Sequence, residues 1–172
     1  MSFVQALRVA TASDHDAVDA TFGSFALDDP ERYGRFLLAH GRALPAVEAA
    51  LEERADDGLP TWRPRTSALA GDLAGLGMAM PAPLDFSAIG EASRWGALYV
   101  IEGSRLGGQI LARLVPAGLP MAYLSARHQP GEWRRLLAAL DERGADRGAA
   151  WRDTALAGAR ATFALYARAA AV

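Results

Sequence analysis

The residues best suited to bind a metal ion in this chain are three histidines, His15, His40 and His128. The sequence of 172 residues contains no cysteine, which excludes thiolate metal sites, iron–sulfur clusters and cysteine nucleophiles. No histidine has a glutamate three residues before it, so the Glu-x-x-His pairs of helical di-iron proteins are absent. A metal bound by a single histidine needs another source of coordination, and a porphyrin with its four nitrogens supplies it.

His15 lies in a segment with helical periodicity, which predicts one helix over residues 3–21. Residues at steps of three or four place His15 in a mostly apolar stripe, together with Val4, Leu7, Thr11, Val18 and Phe22. We therefore expect His15 to lie away from the solvent face. A lone histidine on such a stripe is more often a satisfied core residue than a metal ligand, so periodicity alone leaves both roles open.

Arg8 precedes His15 by seven residues, close to two helical turns, which predicts that the two side chains share a face. A guanidinium in that position could bind a carboxylate at the edge of a ring ligated by His15. An ordinary solvated arginine is the simpler interpretation of Arg8 taken alone.

A second segment is unusual because it has helical periodicity and many glycines. A helix is predicted over residues 87–115, and it carries Gly96, Gly103, Gly107 and Gly108. Each internal glycine costs about 1 kcal/mol relative to alanine. Either Gly103 and Gly107 let a neighbouring helix pack closely, or they let a flat ligand lie against bare backbone and let the helix bend. Spacing alone favours close packing, which is the commoner use of such pairs.

The composition predicts an all-α fold in a single domain over residues 1–172. Frequent alanine and sparse β-branched residues favour helices, and no segment alternates at period two. A net charge of −2 without a basic stripe argues against nucleic-acid binding. No apolar run reaches membrane-spanning length and the N-terminal residues lack the apolar core of a secretion signal, so we expect a cytoplasmic protein without a membrane partner.

Two patterns, LRVATASDH near the N-terminus and LYVIEGSRLGGQIL in the glycine-rich segment, together resemble the haem oxygenase family. The similarity is greatest to its small bacterial members, including those paired with bacteriophytochromes. The resemblance implies a multi-helical bundle in which haem lies between a proximal N-terminal helix and a kinked, glycine-rich distal helix.

The resemblance also implies roles for particular residues. His15 is the proximal ligand of the haem iron, and the distal wall is formed by Gly103, Gly107 and Gly108. Arg8 matches a basic contact to a haem propionate. Ser104 stands where some members carry an aspartate, so proton delivery would use Ser104, backbone carbonyls and water.

Arg134, in the later segment EWRRLL, matches another basic haem contact more loosely. In the implied reaction haem is both cofactor and substrate, and O2 opens it to biliverdin with release of carbon monoxide and iron. Electrons would come from an external donor such as a ferredoxin or a reductase, because the sequence has no flavin or nicotinamide fingerprint. Two alternatives remain: a haem carrier or sensor of the same fold without turnover, and a haem-free helical interaction module.

Overall fold

The structure, a computed structural model, describes residues 1–53, 58–88 and 90–171, and these residues form helices and loops without a strand. This confirms the predicted all-α class. The helices are α1 (Phe3–Ala10), α2 (Ala12–Phe22), α3 (Pro30–Glu52), α4 (Thr66–Gly75), α5 (Glu91–Leu111), α6 (Ala122–Ser125), α7 (Glu132–Arg147) and α8 (Ala149–Ala170). Within these ranges, none of the helices is both long and apolar enough to cross a membrane.

The single N-terminal helix predicted over residues 3–21 is interrupted at Thr11, where φ is −104° and ψ is 2°. The Thr11 hydroxyl donates to the Leu7 carbonyl oxygen at 2.9 Å, a local bond that competes with regular helix geometry. Because Arg8 and His15 lie on opposite sides of this interruption, their spacing of seven residues no longer fixes a shared face.

The α3 helix begins as its sequence predicts and supplies much of the core. Asp29 caps it by accepting from the Arg32 N–H at 2.8 Å, and Pro30 occupies the first turn. Buried Glu48 then fixes the start of α4, since its carboxylate accepts from the backbone N–H groups of Arg65 at 2.6 Å and Thr66 at 3.1 Å. The Arg65 side chain is thereby held behind α5.

The most extensive helix pair is α5 with α8, and glycine makes it possible. A Cβ atom on Gly96 would overlap the Ala155 carbonyl oxygen, and one on Gly158 would overlap the Ser93 carbonyl oxygen. Two helices approach this closely only where the residue that faces the other backbone carries no side chain. The α5 helix stays helical through Gly103, Gly107 and Gly108 and continues as a 3-10 turn over Ala112–Leu114.

Candidate functional site

His15 lies on α2, and its side chain is 58% exposed. The expectation that it lies away from solvent is therefore wrong. The interruption at Thr11 redirects the chain before His15, and the ring touches α8 through one edge-to-face contact with Phe163, at 5.9 Å between ring centroids. Leu7 and Phe22 of the stripe are buried and Val4 and Val18 are half-buried, but His15 itself is accessible.

The nitrogen atoms of His15 have different surroundings. Nδ1 lies 3.3 Å from a carboxylate oxygen of Asp19, one helical turn later. Nε2 has no polar partner among the residues that the structure describes. Metal-binding histidines usually direct one ring nitrogen at a carboxylate and the other at the metal, so this arrangement suits an axial ligand.

Gly103 and Gly107 line an open face of α5. A Cβ atom on Gly107 would meet nothing within 4 Å, and one on Gly103 would meet only the edge of the Trp133 ring, at 3.4 Å. Close helix packing, which spacing alone favoured for this pair, is therefore wrong. Gly108 differs, because its Cβ would lie 3.1 Å from the Leu124 carbonyl oxygen, so it permits close packing against α6.

Large apolar side chains continue the open face of α5. Leu106 and Ile110 are 44% and 65% exposed, and Leu114 in the following 3-10 turn is 56% exposed. Exposed apolar side chains that gather on one face of a soluble protein commonly mark a binding surface. This face is therefore the strongest candidate ligand surface on α5.

The α8 helix supports both candidate surfaces, which are His15 on α2 and the open face of α5. It packs along α5 through Ala155 and along α2 through Phe163, whereas α2 and α5 have no extensive contact with each other within the described ranges. Arg160 on α8 also links to the N-terminal region, since its guanidinium donates to the Ala10 carbonyl oxygen at 2.9 Å and lies 3.4 Å from Asp14. The two surfaces are thus fixed to one helix and kept apart.

Both predicted basic haem contacts, Arg8 and Arg134, are exposed arginines near this face. Burial raises the pKa of the Tyr99 hydroxyl, and the nearby Arg8 guanidinium offsets part of that rise. Tyr99 is one turn before Gly103 on α5. Arg134 lines a shallow cavity of about 400 Å³ beside Leu106. Neither arginine pairs with a carboxylate in the part of the chain that the structure describes.

Ser104 is bonded in a way that the sequence did not predict. Its hydroxyl donates to the Ile101 carbonyl oxygen at 2.6 Å and accepts from Nη2 of Arg65 at 2.9 Å. A serine hydroxyl carries one hydrogen, so in this arrangement Ser104 has none to donate toward a ligand. Arg65 was missed because 39 residues separate it from Ser104, and no local pattern indicates such a contact.

His40 and His128 are already engaged elsewhere. His40 Nδ1 lies 2.7 Å from the Tyr123 hydroxyl, and burial, with a smaller contribution from Arg65, lowers the pKa of His40 to about 3. His128 Nε2 lies 3.2 Å from Glu102 on α5. Among the described residues no group of three or more potential metal-binding side chains occurs, so a single-histidine site remains the candidate.

Comparison with known proteins gives the same family by sequence and by structure. No family profile matches the chain. A haem oxygenase from Xanthomonas campestris pv. campestris (strain 8004) is 40% identical over 151 residues, which cover 80% of this chain and 88% of that protein. The solved structure of Neisseria meningitidis haem oxygenase with bound NO and CO has a TM-score of 0.80 and 25% identity, over 99% of this chain and 90% of that one.

A haem oxygenase from Leptospira interrogans shares the fold, with a TM-score of 0.73 and 21% identity over 99% of this chain and 98% of that one. The all-helical bundle described above is thus the fold of both solved haem oxygenases. Together with the 40% identical relative, it shows that the chain belongs to the haem oxygenase family. The family and fold predicted from the sequence are thereby confirmed.

Proposed function

We propose that this protein binds haem as its substrate and opens it to biliverdin, carbon monoxide and iron, using O2 and electrons from an external protein donor. The observation that carries the proposal is the open face of α5 at Gly103 and Gly107, on a helix that is tightly packed at Gly96. Membership of the haem oxygenase family supports the same reaction. The electron donor would be a ferredoxin or a reductase.

The residues present fit a haem. His15 offers Nε2 while Asp19 faces Nδ1, which suits ligation of iron by a neutral imidazole. Gly107 leaves space for a flat ring to approach the α5 backbone without meeting a Cβ atom. When bound, haem supplies the iron and the macrocycle that carry the redox chemistry.

The protein's own residues would bind and orient this substrate. Arg8 and Arg134 pair with no carboxylate among the described residues, so their guanidinium groups would suit the two propionates and set how the ring is rotated in its plane. Leu106 and Ile110 would cover the ring and exclude water. Gly103 and Gly107 would form the distal wall with backbone alone, and Gly108 would support that wall from behind by packing on α6.

A haem carrier or sensor without turnover is the second candidate, and one observation favours it. The hydrogen of Ser104 is already donated to the Ile101 carbonyl oxygen, so the side chain that replaces the aspartate of other members is not poised to deliver a proton. In the oxygenase, water held by backbone carbonyls would have to take that role.

Hemin titration followed by reduction under air tests both candidates. The oxygenase should give a Soret band that decays as biliverdin absorbance grows and carbon monoxide is released. A Soret band that persists through many reduction cycles would favour the carrier, and the absence of a Soret band would exclude both.

The axial ligand is tested with one variant and one control. His15→Ala should remove the histidine-ligated spectrum while the apoprotein melts at the wild-type temperature, because the side chain is largely exposed. His40→Gln is the control, since His40 is bonded to Tyr123 and should leave the ligand signature unchanged. If His15→Ala binds hemin with an unchanged spectrum and affinity, His15 is not the ligand.

A further inference from the structure

A cluster of three polar groups lies on the buried side of α5, directly behind its open face. Nη2 of Arg65 donates to the Ile101 carbonyl oxygen at 2.6 Å and to the Ser104 hydroxyl at 2.9 Å. The Ser104 hydroxyl donates to the same Ile101 carbonyl at 2.6 Å. One backbone carbonyl of α5 therefore accepts from two side chains, one of which comes from the loop before α4.

This carbonyl controls the turn that carries Gly103. In a regular α-helix the Ile101 carbonyl would accept only from the N–H of Arg105. A serine that bonds back to the preceding turn competes for that carbonyl, and a second donor from outside the helix ties the turn to the loop before α4. Gly103 and Gly107 have no side chains with which to hold this segment, so the polar bonds act beside the buried side chains of Ile101 and Arg105.

Arg65 is itself held in place by two other elements. Its backbone N–H donates to buried Glu48 on α3 at 2.6 Å, and its guanidinium lies over the ring of Tyr123 on α6 at 5.2 Å from the centroid. Arg65 is 4% exposed, so its guanidinium is removed from solvent and depends on the Ile101 carbonyl, the Ser104 hydroxyl and the Tyr123 ring, while its Nε has no hydrogen-bond partner among the described residues. Charge-assisted bonds from such a preorganised donor are stronger than those between neutral groups.

From these contacts we infer that Arg65 is a positioning residue, which sets the position of the Gly103–Gly107 face through Ser104 and the Ile101 carbonyl. The inference rests on the proposed function insofar as this face forms the distal wall over haem. Ser104 then has a structural role in that wall, as the link between Arg65 and α5. Arg65, the buried cation, lies outside the glycine-rich segment, in the loop before α4.

The first test needs no haem. Hydrogen exchange of the amides of residues 105–108 should be roughly tenfold faster in Ser104→Ala than in the wild-type apoprotein, the change expected from loss of one hydrogen bond. Thr154→Ala is the matched control, because Thr154 also bonds back within its helix, to the Ala150 carbonyl oxygen at 2.9 Å, but lies on α8. Ser104→Thr keeps the hydroxyl and should restore slow exchange.

Arg65→Met should give the same acceleration as Ser104→Ala, and the double variant should exchange no faster than the worse single variant, because both residues act through one carbonyl. If Arg65→Met fails to fold, the same exchange measurement is made on Arg65→Lys, which keeps the charge. Unchanged exchange in Ser104→Ala, or additive effects in the double variant, would overturn the inference.

The second test uses the haem-bound protein with carbon monoxide as a probe of the distal wall. Ser104→Ala and Arg65→Met should shift the C–O stretching frequency in the same direction and broaden the distribution of biliverdin isomers, whereas Thr154→Ala should change neither. Faster exchange without these changes would also contradict the inference, because the cluster would then stabilise α5 without setting the wall. Failure to bind hemin at all would refute the proposed function and leave the exchange result to decide the role of Arg65.

Discussion

The two halves of α5 use glycine for opposite purposes. In the first half Gly96 lies against the backbone of α8 at Ala155, so closely that no side chain fits between them. In the second half Gly103 and Gly107 face open space and the edge of one tryptophan ring. The same residue type therefore closes a helix interface at one end and keeps a face bare at the other.

The difference teaches that spacing within a helix does not reveal what a glycine is for. Gly103 and Gly107 are four residues apart, as in many closely packed helix pairs, yet among the described residues only the Trp133 ring of α7 reaches Gly103, and nothing lies within 4 Å of a Cβ atom on Gly107. The neighbour that decides between the two roles comes from α8, and its distance along the chain hides it from local analysis. Substitution at the two positions should therefore have separable effects.

The largest effect is expected at the closed end. Gly96→Val should destabilise the protein by about 3 kcal/mol or more, because the new side chain would collide with the backbone of α8 and neither helix can shift cheaply. Gly107→Ala is the control and should be neutral or stabilising by about 1 kcal/mol. Thermal unfolding of both apoproteins measures the contrast, and equal losses would show that both ends of α5 are closed.

A larger side chain at the open end should separate folding from binding. Gly107→Leu should leave the apoprotein as stable as the wild type, because open space surrounds the position and leucine favours helix. Hemin affinity should fall roughly ten- to a hundredfold, the equivalent of about 1–3 kcal/mol of overpacking. Melting of the apoprotein, hemin titration and biliverdin yield are measured together.

Full hemin affinity and turnover in Gly107→Leu would place the haem elsewhere. A loss of apoprotein stability would instead show that a neighbouring element closes on this face.

Buried His40, which bonds to Tyr123, predicts a dependence of the free energy of unfolding on pH. The folded protein lowers the pKa of His40 to about 3 from an ordinary 6.5, mainly through burial, so folding favours the neutral ring. This contribution is complete above pH 6.5 and is lost as the pH falls toward 3. The free energy of unfolding should therefore drop by roughly 2 kcal/mol between pH 7 and pH 5 on account of His40.

Urea unfolding at the two pH values measures this drop, with His40→Gln as the comparison because glutamine does not titrate. The variant should lose less stability on acidification than the wild type. Parallel losses in both proteins would assign the acid sensitivity to other groups.

The smallest effect is expected at Arg8, which is exposed. Arg8→Ala should weaken hemin binding by about 1 kcal/mol, since solvent screens an exposed charge-assisted contact, and it should alter the ratio of biliverdin isomers. Arg152→Ala on α8 removes an exposed arginine that no proposed contact uses and is the control. Identical affinity and identical products in the Arg8 variant would make Arg8 an ordinary surface arginine.

Most of the fold could be predicted from the sequence because helix signals are local. The Asp29–Pro30 start of α3 follows from capping chemistry, and the breaks around α4 and α7 follow from proline and glycine. The interruption at Thr11 was not predicted, because its apolar neighbours continue the periodicity while its hydroxyl bonds to the preceding turn.

The site was predictable only in part, for a related reason. Motif resemblance indicated His15 and the glycine face as candidates, since both lie within short continuous stretches. It did not locate Arg65, which meets Ser104 only after α3, α4 and α5 have packed. It also misjudged the exposure of His15, because burial depends on what other helices cover and not on the stripe to which a residue belongs.

The contrast between Gly96 and Gly107 has a consequence for how this chain can change over generations. Selection for a folded product alone purges substitutions that take stability below the level a cell tolerates. Replacement of Gly96 would be removed by that pressure in any descendant, whatever the descendant did. Replacement of Gly107 would be removed only while binding at the open face still mattered. A lineage that had abandoned haem would keep the first glycine and drift freely at the second, so the pair records separately whether a descendant still folds and whether it still works.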